Sequence, residues 1–378
     1  MFDRSLSNYV ILFLLMVLLT TSSVGQTKKT LFFPIYVSGK GGFIDQTGQV
    51  VIKPQFDDVR DFSEGLAAVK VGNDWGYIDE VGTVVIPPRF VYAESFSEGL
   101  ACVLTGGYGF INREGSFVVP PQFDQGYSLS EGFARVGIGG RGESPFPGLF
   151  REPRLPDKWL YLDRQGKTVL RPGFDYVDDF HGGFALVARR GKDRFLVNYI
   201  DKEGKLVFVD WFVAGHWFSD GVAIISNDLN GRTGELWGRL GYDNFSEDPL
   251  DFSGRNKPID FLFIDGSGNK VPAGRFEDIS DFAEGLAAVQ INGKWGYVNK
   301  QGQIAIEPKF DIAKDFSEGL AGVTEGGRLC YINASGHVVL SLDYDRGEPF
   351  KYGLAKVWES GKTGYIDKAG HLVWKPSR

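Results

Sequence analysis

The strongest constraint on this chain is a unit of roughly 34 residues that recurs nine times. Its fixed point is an aromatic residue: Phe43, Tyr77, Phe110, Tyr161, Tyr199, Phe263, Tyr297, Tyr331 and Tyr365. Ile, Val or Leu follows, and then always Asp or Asn, from Asp45 and Asp79 to Asn333 and Asp367. Gly stands five residues beyond the aromatic in all nine units, Gly82 and Gly302 among them. A second Gly stands 22 residues beyond it in the eight complete cases, Gly65, Gly99, Gly319 and Gly353 among them. No insertion interrupts that stretch. One such unit cannot bury its apolar face alone, so neighbours must stack.

Each unit reads as three strands: A (Leu66 to Val71), B (Trp75 to Asp79) and C (Val84 to Ile86, running into Pro87-Pro88-Arg89-Phe90). These are short β-branched and aromatic runs bounded by Gly and Asp. After the first residues no sustained helical period appears. Alternation puts Trp75 and Tyr77 on one face, expected to be the buried one. Pro88 cannot donate to a ladder, so strand C is an edge or an end there. The run Asp79-Glu80-Val81-Gly82 is a turn, because Asp bonds the backbone two residues on and Gly supplies positive φ. Calcium binding by these carboxylates is the alternative. The chain lacks both the closely spaced carboxylates of an EF-hand loop and a nine-residue Gly-Asp period.

Trp75-Gly76-Tyr77-Ile78-Asp79, Trp295-Gly296-Tyr297-Val298-Asn299 and the recurring Phe-Ser-Glu-Gly-Leu-Ala (62–67, 96–101, 316–321) resemble the WG-repeat, or KWG-repeat, family. The resemblance covers residues 31–376. Six units hold another residue at the Trp position: Gly41, Tyr108, Val197, Phe261, Leu329 and Thr363. The resemblance implies a β-rich bacterial repeat module, often secreted or surface-associated, with no established catalysis and no single ligand.

The expected fold is therefore all-β, with units at 31–64, 65–98, 99–131, 132–182, 183–220, 221–284, 285–318, 319–352 and 353–376. An open stacked array is expected, and a closed β-propeller is the alternative. Propellers typically have four to eight four-stranded blades. Nine three-stranded units fit that poorly, and whole units at both ends give no sign of strand sharing.

The first 25 residues read as a signal peptide. Arg4 precedes an eleven-residue apolar run, Tyr9 to Leu19, and Ser23-Val24-Gly25 places small residues before a cut at Gln26. That run is shorter than the about 20 residues of a spanning helix. An uncleaved anchor is the alternative; after cleavage no membrane insertion is expected. The chain is then secreted, periplasmic or at the cell surface. Cys102 and Cys330 lie five units apart, too far for a disulfide in an open array, and read as separate buried thiols. A net charge of −7 argues against nucleic acid.

No metal pair links the four histidines, and no HExxH, CxxC, nucleophile elbow or P-loop occurs. Most carboxylates occupy repeated turn positions, and a residue present nine times is scaffold. No catalytic residue, metal or cofactor is expected. The irregular segments say more. The distance from the Val or Ile of strand A to the aromatic of strand B is seven or eight residues in six units. It is 25 in the fourth (Val136 to Tyr161), 12 in the fifth (Val187 to Tyr199) and 38 in the sixth (Ile225 to Phe263). Equivalent loops emerge on one side of a stack, so insertions 137–158 and 226–260 form a patch. The candidate binding residues are Phe146, Phe150, Arg151 and Arg154 in the first, and Arg232, Trp237, Arg239, Tyr242 and Phe245 in the second. Trp, Tyr and Arg are enriched at binding hot spots. The reading is an exported scaffold that binds a protein or glycan. Tolerated insertions, a glycan-processing enzyme with loop carboxylates, and a structural envelope protein are the alternatives.

Overall fold

In the computed structural model the described residues are 31–139, 156–192, 195–227 and 258–377. They form nine small antiparallel sheets in chain order. Blade two shows the pattern: a two-residue leading strand (Asp58–Val59), then A (Leu66–Val71), B (Asp74–Asp79) and C (Val84–Phe90). Seven sheets have four strands and two have three: the first, Phe32–Phe56, and the fifth, Tyr176–Ile200. The leading strand is absent from the three-stranded sequence reading. It pairs through Asp58↔Lys70 and Val59↔Val69 alone, too short to leave a period. Each blade therefore begins before the Gly at which the units were cut.

Strand B is buried on both sides: Trp75, Gly76, Tyr77 and Ile78 are all inside. A sheet packed between two neighbouring blades has no solvent face, so the expected one-sided alternation does not appear. Strand C lies on the perimeter, with Val84 and Val85 exposed, and its prolines sit on that edge.

Two turns recur. The Asp79 carboxylate accepts the Val81 and Thr83 amides at 3.1 and 2.8 Å. The Gly82 amide donates to the Asp79 carbonyl with φ +86°. Ser63 and Leu66 exchange both backbone hydrogen bonds around Glu64 (φ 52°) and Gly65 (φ 82°). Two successive positive φ values make this a type I′ hairpin, which explains the second fixed Gly.

The second turn also joins blades. The Ser63 hydroxyl donates to the Phe96 carbonyl of the next blade at 2.6 Å, and the Gly99 amide donates to the Glu64 carboxylate at 3.0 Å. The same two bonds recur from Ser317 to Phe350 and from Gly353 to Glu318. A base one residue past the turn Asp or Asn completes several junctions: Arg164 with Glu98, Lys202 with Glu131 and Lys368 with Glu318. Consecutive turns only a hydrogen bond apart lie where the blades converge, towards the axis.

One relation shows that the array closes. Tyr77, Tyr199, Tyr297 and Tyr331 each donate a hydroxyl to the carbonyl 17 residues on, in the next blade. Tyr365 makes the corresponding bond out of the ninth blade. It donates to the carbonyl of Pro34, in the first blade, at 2.8 Å. Gln46 donates to the Tyr352 carbonyl, and Gly48 lies against the Val373 carbonyl as Gly82 lies against Ile52. The fold is thus a nine-bladed propeller, and the expected open array is corrected to its alternative. Each end supplies its own sheet and closure runs through side chains, so the missing strand sharing was no argument against a ring. Cys102 and Cys330 are both buried free thiols.

Candidate functional site

The extended hairpins leave corresponding ends of three consecutive blades. In blade four, Ala134–Ile138 pairs with Lys158–Leu162 up to Ile138↔Lys158. In blade five the outermost pair is Arg190↔Phe195, and in blade six Val222–Ser226 pairs with Ile259–Asp265. The stems are tightly built. The Gly139 amide donates to the Asp124 carboxylate at 2.8 Å, and the Ser226 hydroxyl to the Asp260 carbonyl at 2.7 Å. Gly137 leaves the space that Pro156 fills: a Cβ there would fall 2.4 Å from its ring. The expected binding residues Phe146, Phe150, Arg151, Arg154, Arg232, Trp237, Arg239, Tyr242 and Phe245 all lie outside the described residues.

Beneath the stems lies the largest buried cluster. It joins blades four, five and six through 18 residues, including Trp159, Tyr161, Tyr176, Phe180, Tyr199 and Phe212. The other six clusters hold seven to eleven residues each. A heavily packed base suits loops that recognise something, because recognition needs a rigid support.

This base also holds a buried ion cluster that the sequence reading missed. Arg135, 3% exposed, stands in strand A of blade four. It donates to the Val177 carbonyl at 2.6 Å and to the Asp179 carboxylate at 3.0 Å, and lies 3.5 Å from Asp178. Its guanidinium covers the Tyr127 ring at 3.8 Å and lies within 6 Å of the Trp159 and Tyr176 rings. Burial raises the Asp178 carboxyl above the usual carboxylate range; Arg135 opposes the rise and Asp179 adds to it. Among the described residues, Asp178 Oδ2 has no hydrogen-bond partner. A partial signal was available: the column of Arg135 holds Pro34, Ala68, Cys102, Leu186, Ile224, Ala288 and Gly322 in seven other units and Lys356 in the ninth. A base in a mostly small or apolar column marks a departure from the common junction; Lys356 is half-buried where Arg135 is buried.

The repeated turn carboxylates are committed to structure. Hydrogen bonds from the Asn269 side chain and from the turn amides hold the Asp265 carboxyl below its ordinary range. Across the junction of blades six and seven, His216 Nδ1 lies 2.7 Å from an Asp281 oxygen. Among the described residues no three His, Cys, Asp or Glu side chains converge to hold a metal. No described helix is long and apolar enough to cross a membrane.

A family model described as a WG-containing repeat matches residues 42–73, 75–107, 108–141, 161–192, 263–295, 295–328 and 331–362. The chain belongs to the WG-repeat family. No curated protein matches it in sequence. Among solved structures, a eukaryotic initiation factor aligns over 92% of this chain and 96% of its own, with a TM-score of 0.58 at 10% identity. Apo AztD from Citrobacter koseri aligns over 92% and 93%, with a TM-score of 0.40 at 12% identity. The first likeness shows the propeller fold alone.

The geometry accounts for the WG signature. A Cβ on Gly76 would fall 2.5 Å from the Ile86 carbonyl oxygen and 2.6 Å from the Pro88 nitrogen. Strand C is bulged there, with the register shifting between Trp75 and Tyr77. Gly296 meets Ile306 and Pro308 in the same way. In blade eight strand C pairs in step through Leu329, Cys330 and Tyr331, and the Gly of the WG pair is replaced by Cys330. The WG Trp packs between blades: Trp75 is 6% exposed and lies 5.2 Å from the Arg60 guanidinium.

Proposed function

We propose that this chain is an exported, non-catalytic WG-repeat scaffold that presents the hairpins of blades four to six to a protein or glycan partner. The observation that carries this reading is the coincidence of length variation and packing. The only long A–B hairpins stand on consecutive blades, above the largest core of the ring. Export rests on the N-terminal sequence, and the absence of catalysis on the structural employment of the repeated carboxylates. The aromatic and arginine content of 137–158 and 226–260 favours recognition over passive insertion.

The test compares the full chain with a version in which residues 140–155 and 228–257 are replaced by short Gly/Asn turns. Both are measured for binding to an array of envelope glycans and to an envelope protein fraction. Binding by the full chain alone, with both proteins folded, is the expected result. Equal binding would move the site to the repeat surface. Glycan turnover by the full chain would replace the scaffold with an enzyme.

A further inference from the structure

We propose that the ring opens at the junction of blades nine and one while the other eight junctions stay closed. Buried apolar clusters join blade one to two, two to three, three to four, four to five and six, six to seven, seven to eight, and eight to nine. Among the described residues none joins nine to one.

The inter-blade code also fails at this seam, as it does in blade five, where His181 and Gly182 replace the linking Ser and Glu. Elsewhere a Phe of the next turn, or Leu129 against Phe110, covers the strand B aromatic, as Phe316 covers Tyr297 with ring centroids 4.9 Å apart. At the seam Tyr365 meets Phe33 of strand A instead, at 5.6 Å. The linking Ser is replaced by Lys351, which crosses to Asp61 in blade two. The linking Glu is replaced by Tyr352. This residue is 53% exposed and held at φ 56°, a strained conformation for an aromatic side chain. Among the described residues blade one has three strands, as blade five has, and Pro34 lacks the amide hydrogen of its counterpart Ala288, whose amide donates to Ser280. What holds the seam is the contact between the buried Phe33 and Tyr365 rings and three polar bonds: Tyr365 to Pro34, Gln46 to Tyr352 and Lys351 to Asp61.

Opening any other junction exposes an apolar core. Opening this one exposes a single aromatic pair, Phe33 with Tyr365, and otherwise exchanges hydrogen bonds for bonds to water, and no loop has to stretch because blades nine and one are not consecutive in the chain. Local opening follows the cheapest such step.

Hydrogen exchange on the full chain tests the proposal. The Ile35 and Val373 amides and the Gln46–Gly48 and Lys351–Gly353 turns are expected to exchange at least about tenfold faster than their counterparts in blades two and seven. Fast exchange confined to 372–377, with the Gln46–Gly48 turn protected, is fraying of one end and overturns the proposal. Tyr365→Phe removes the bond to Pro34, and Tyr297→Phe the equivalent bond to Lys314. The first should speed seam exchange by about fivefold and leave other blades unchanged; the second should open nothing locally. Equal local effects would overturn the proposal. Should Tyr365→Phe fail to fold, the comparison within the unmodified chain decides.

Discussion

Blades seven and eight and blades four to six solve one packing problem differently. In the first pair the junction is built from repeated small parts: an aromatic under a Phe and a Glu to a Gly amide, with Ala283 in place of the linking Ser. Their shared core holds ten residues and no buried charge. In the second group the WG Gly is gone from all three blades, replaced by Leu160, Asn198 and Leu262, whereas the first pair keeps Gly296 and loses it only at Cys330. Strand C shrinks to Thr168–Leu170 in blade four and to isolated bridges at Leu206 and Phe212 in blade five. Bulk and buried polarity stand in: an 18-residue core, Arg135 between two aspartates, and Asn198 donating to the Phe208 and Asp210 carbonyls. A repeat tolerates such a departure only where it is compensated locally. It occurs in the arc that carries the long hairpins.

The sharpest way to break this comparison is to make the specialised arc resemble the regular one. Arg135→Ala installs the residue that blades two and seven carry at Ala68 and Ala288. If the arc were interchangeable with the rest, this would be mild. It is expected instead to cost about 3–5 kcal/mol in chemical denaturation, because two carboxylates lose their buried cation. Arg135→Ala with Asp178→Asn and Asp179→Asn should recover part of that loss.

In the regular arc the corresponding weak point is backbone, not charge. Gly302 sits at φ +76°, and a Cβ would fall 2.3 Å from the Pro272 carbonyl oxygen of the preceding blade. Gly302→Val is expected to cost about 2–4 kcal/mol, from strain and from the displaced neighbour. A melting shift no larger than that of an exposed substitution would show that this contact yields.

Which parts were legible follows from their range. The period, the two turns and the exposed strand C depend on neighbours a few residues apart, and they stand in the letters from Asp79 to Gly82 and from Ser97 to Gly99. The leading strand left no pattern because two paired residues have no period. Closure was illegible for another reason: it depends on a contact between Tyr365 and Pro34, 331 residues apart, and on a blade-to-blade angle no local rule encodes. Arg135 lay between these cases, visible with Lys356 as one of two bases in its column but without a partner until Asp178 and Asp179 were placed beside it.

The ion cluster also predicts a pH effect confined to the specialised arc. Burial raises the folded-state Asp178 carboxyl above its unfolded value near 4. A raised acid contributes stability at low pH, which is lost as pH climbs through the folded value. Between about pH 4 and that value stability should fall with pH, by at most about 1.4 kcal/mol per unit. Asp178→Asn should flatten this slope in pH-resolved denaturation. An unchanged slope would mean that Arg135 keeps Asp178 ionised.

The smallest expected effect lies on the regular side, at Lys300. Nothing in the repeat pattern singles it out, yet it stands in the position of Arg164, Lys202 and Lys368. It reaches back to the Asp220 carbonyl and lies 3.8 Å from its carboxylate. Asp220 is already employed, accepting the Gly285 amide at 2.7 Å. Both side chains are about one third exposed, so water and salt screen the pair. Lys300→Ala should therefore cost only about 0.2–1 kcal/mol, and the difference should shrink in 1 M salt. Lys368→Ala, across from Glu318, should behave alike, since the two junctions share one geometry. A loss at Lys300 several times that at Lys368 would place the sixth-to-seventh junction with the specialised arc, and the boundary between the two kinds of packing would move by one blade.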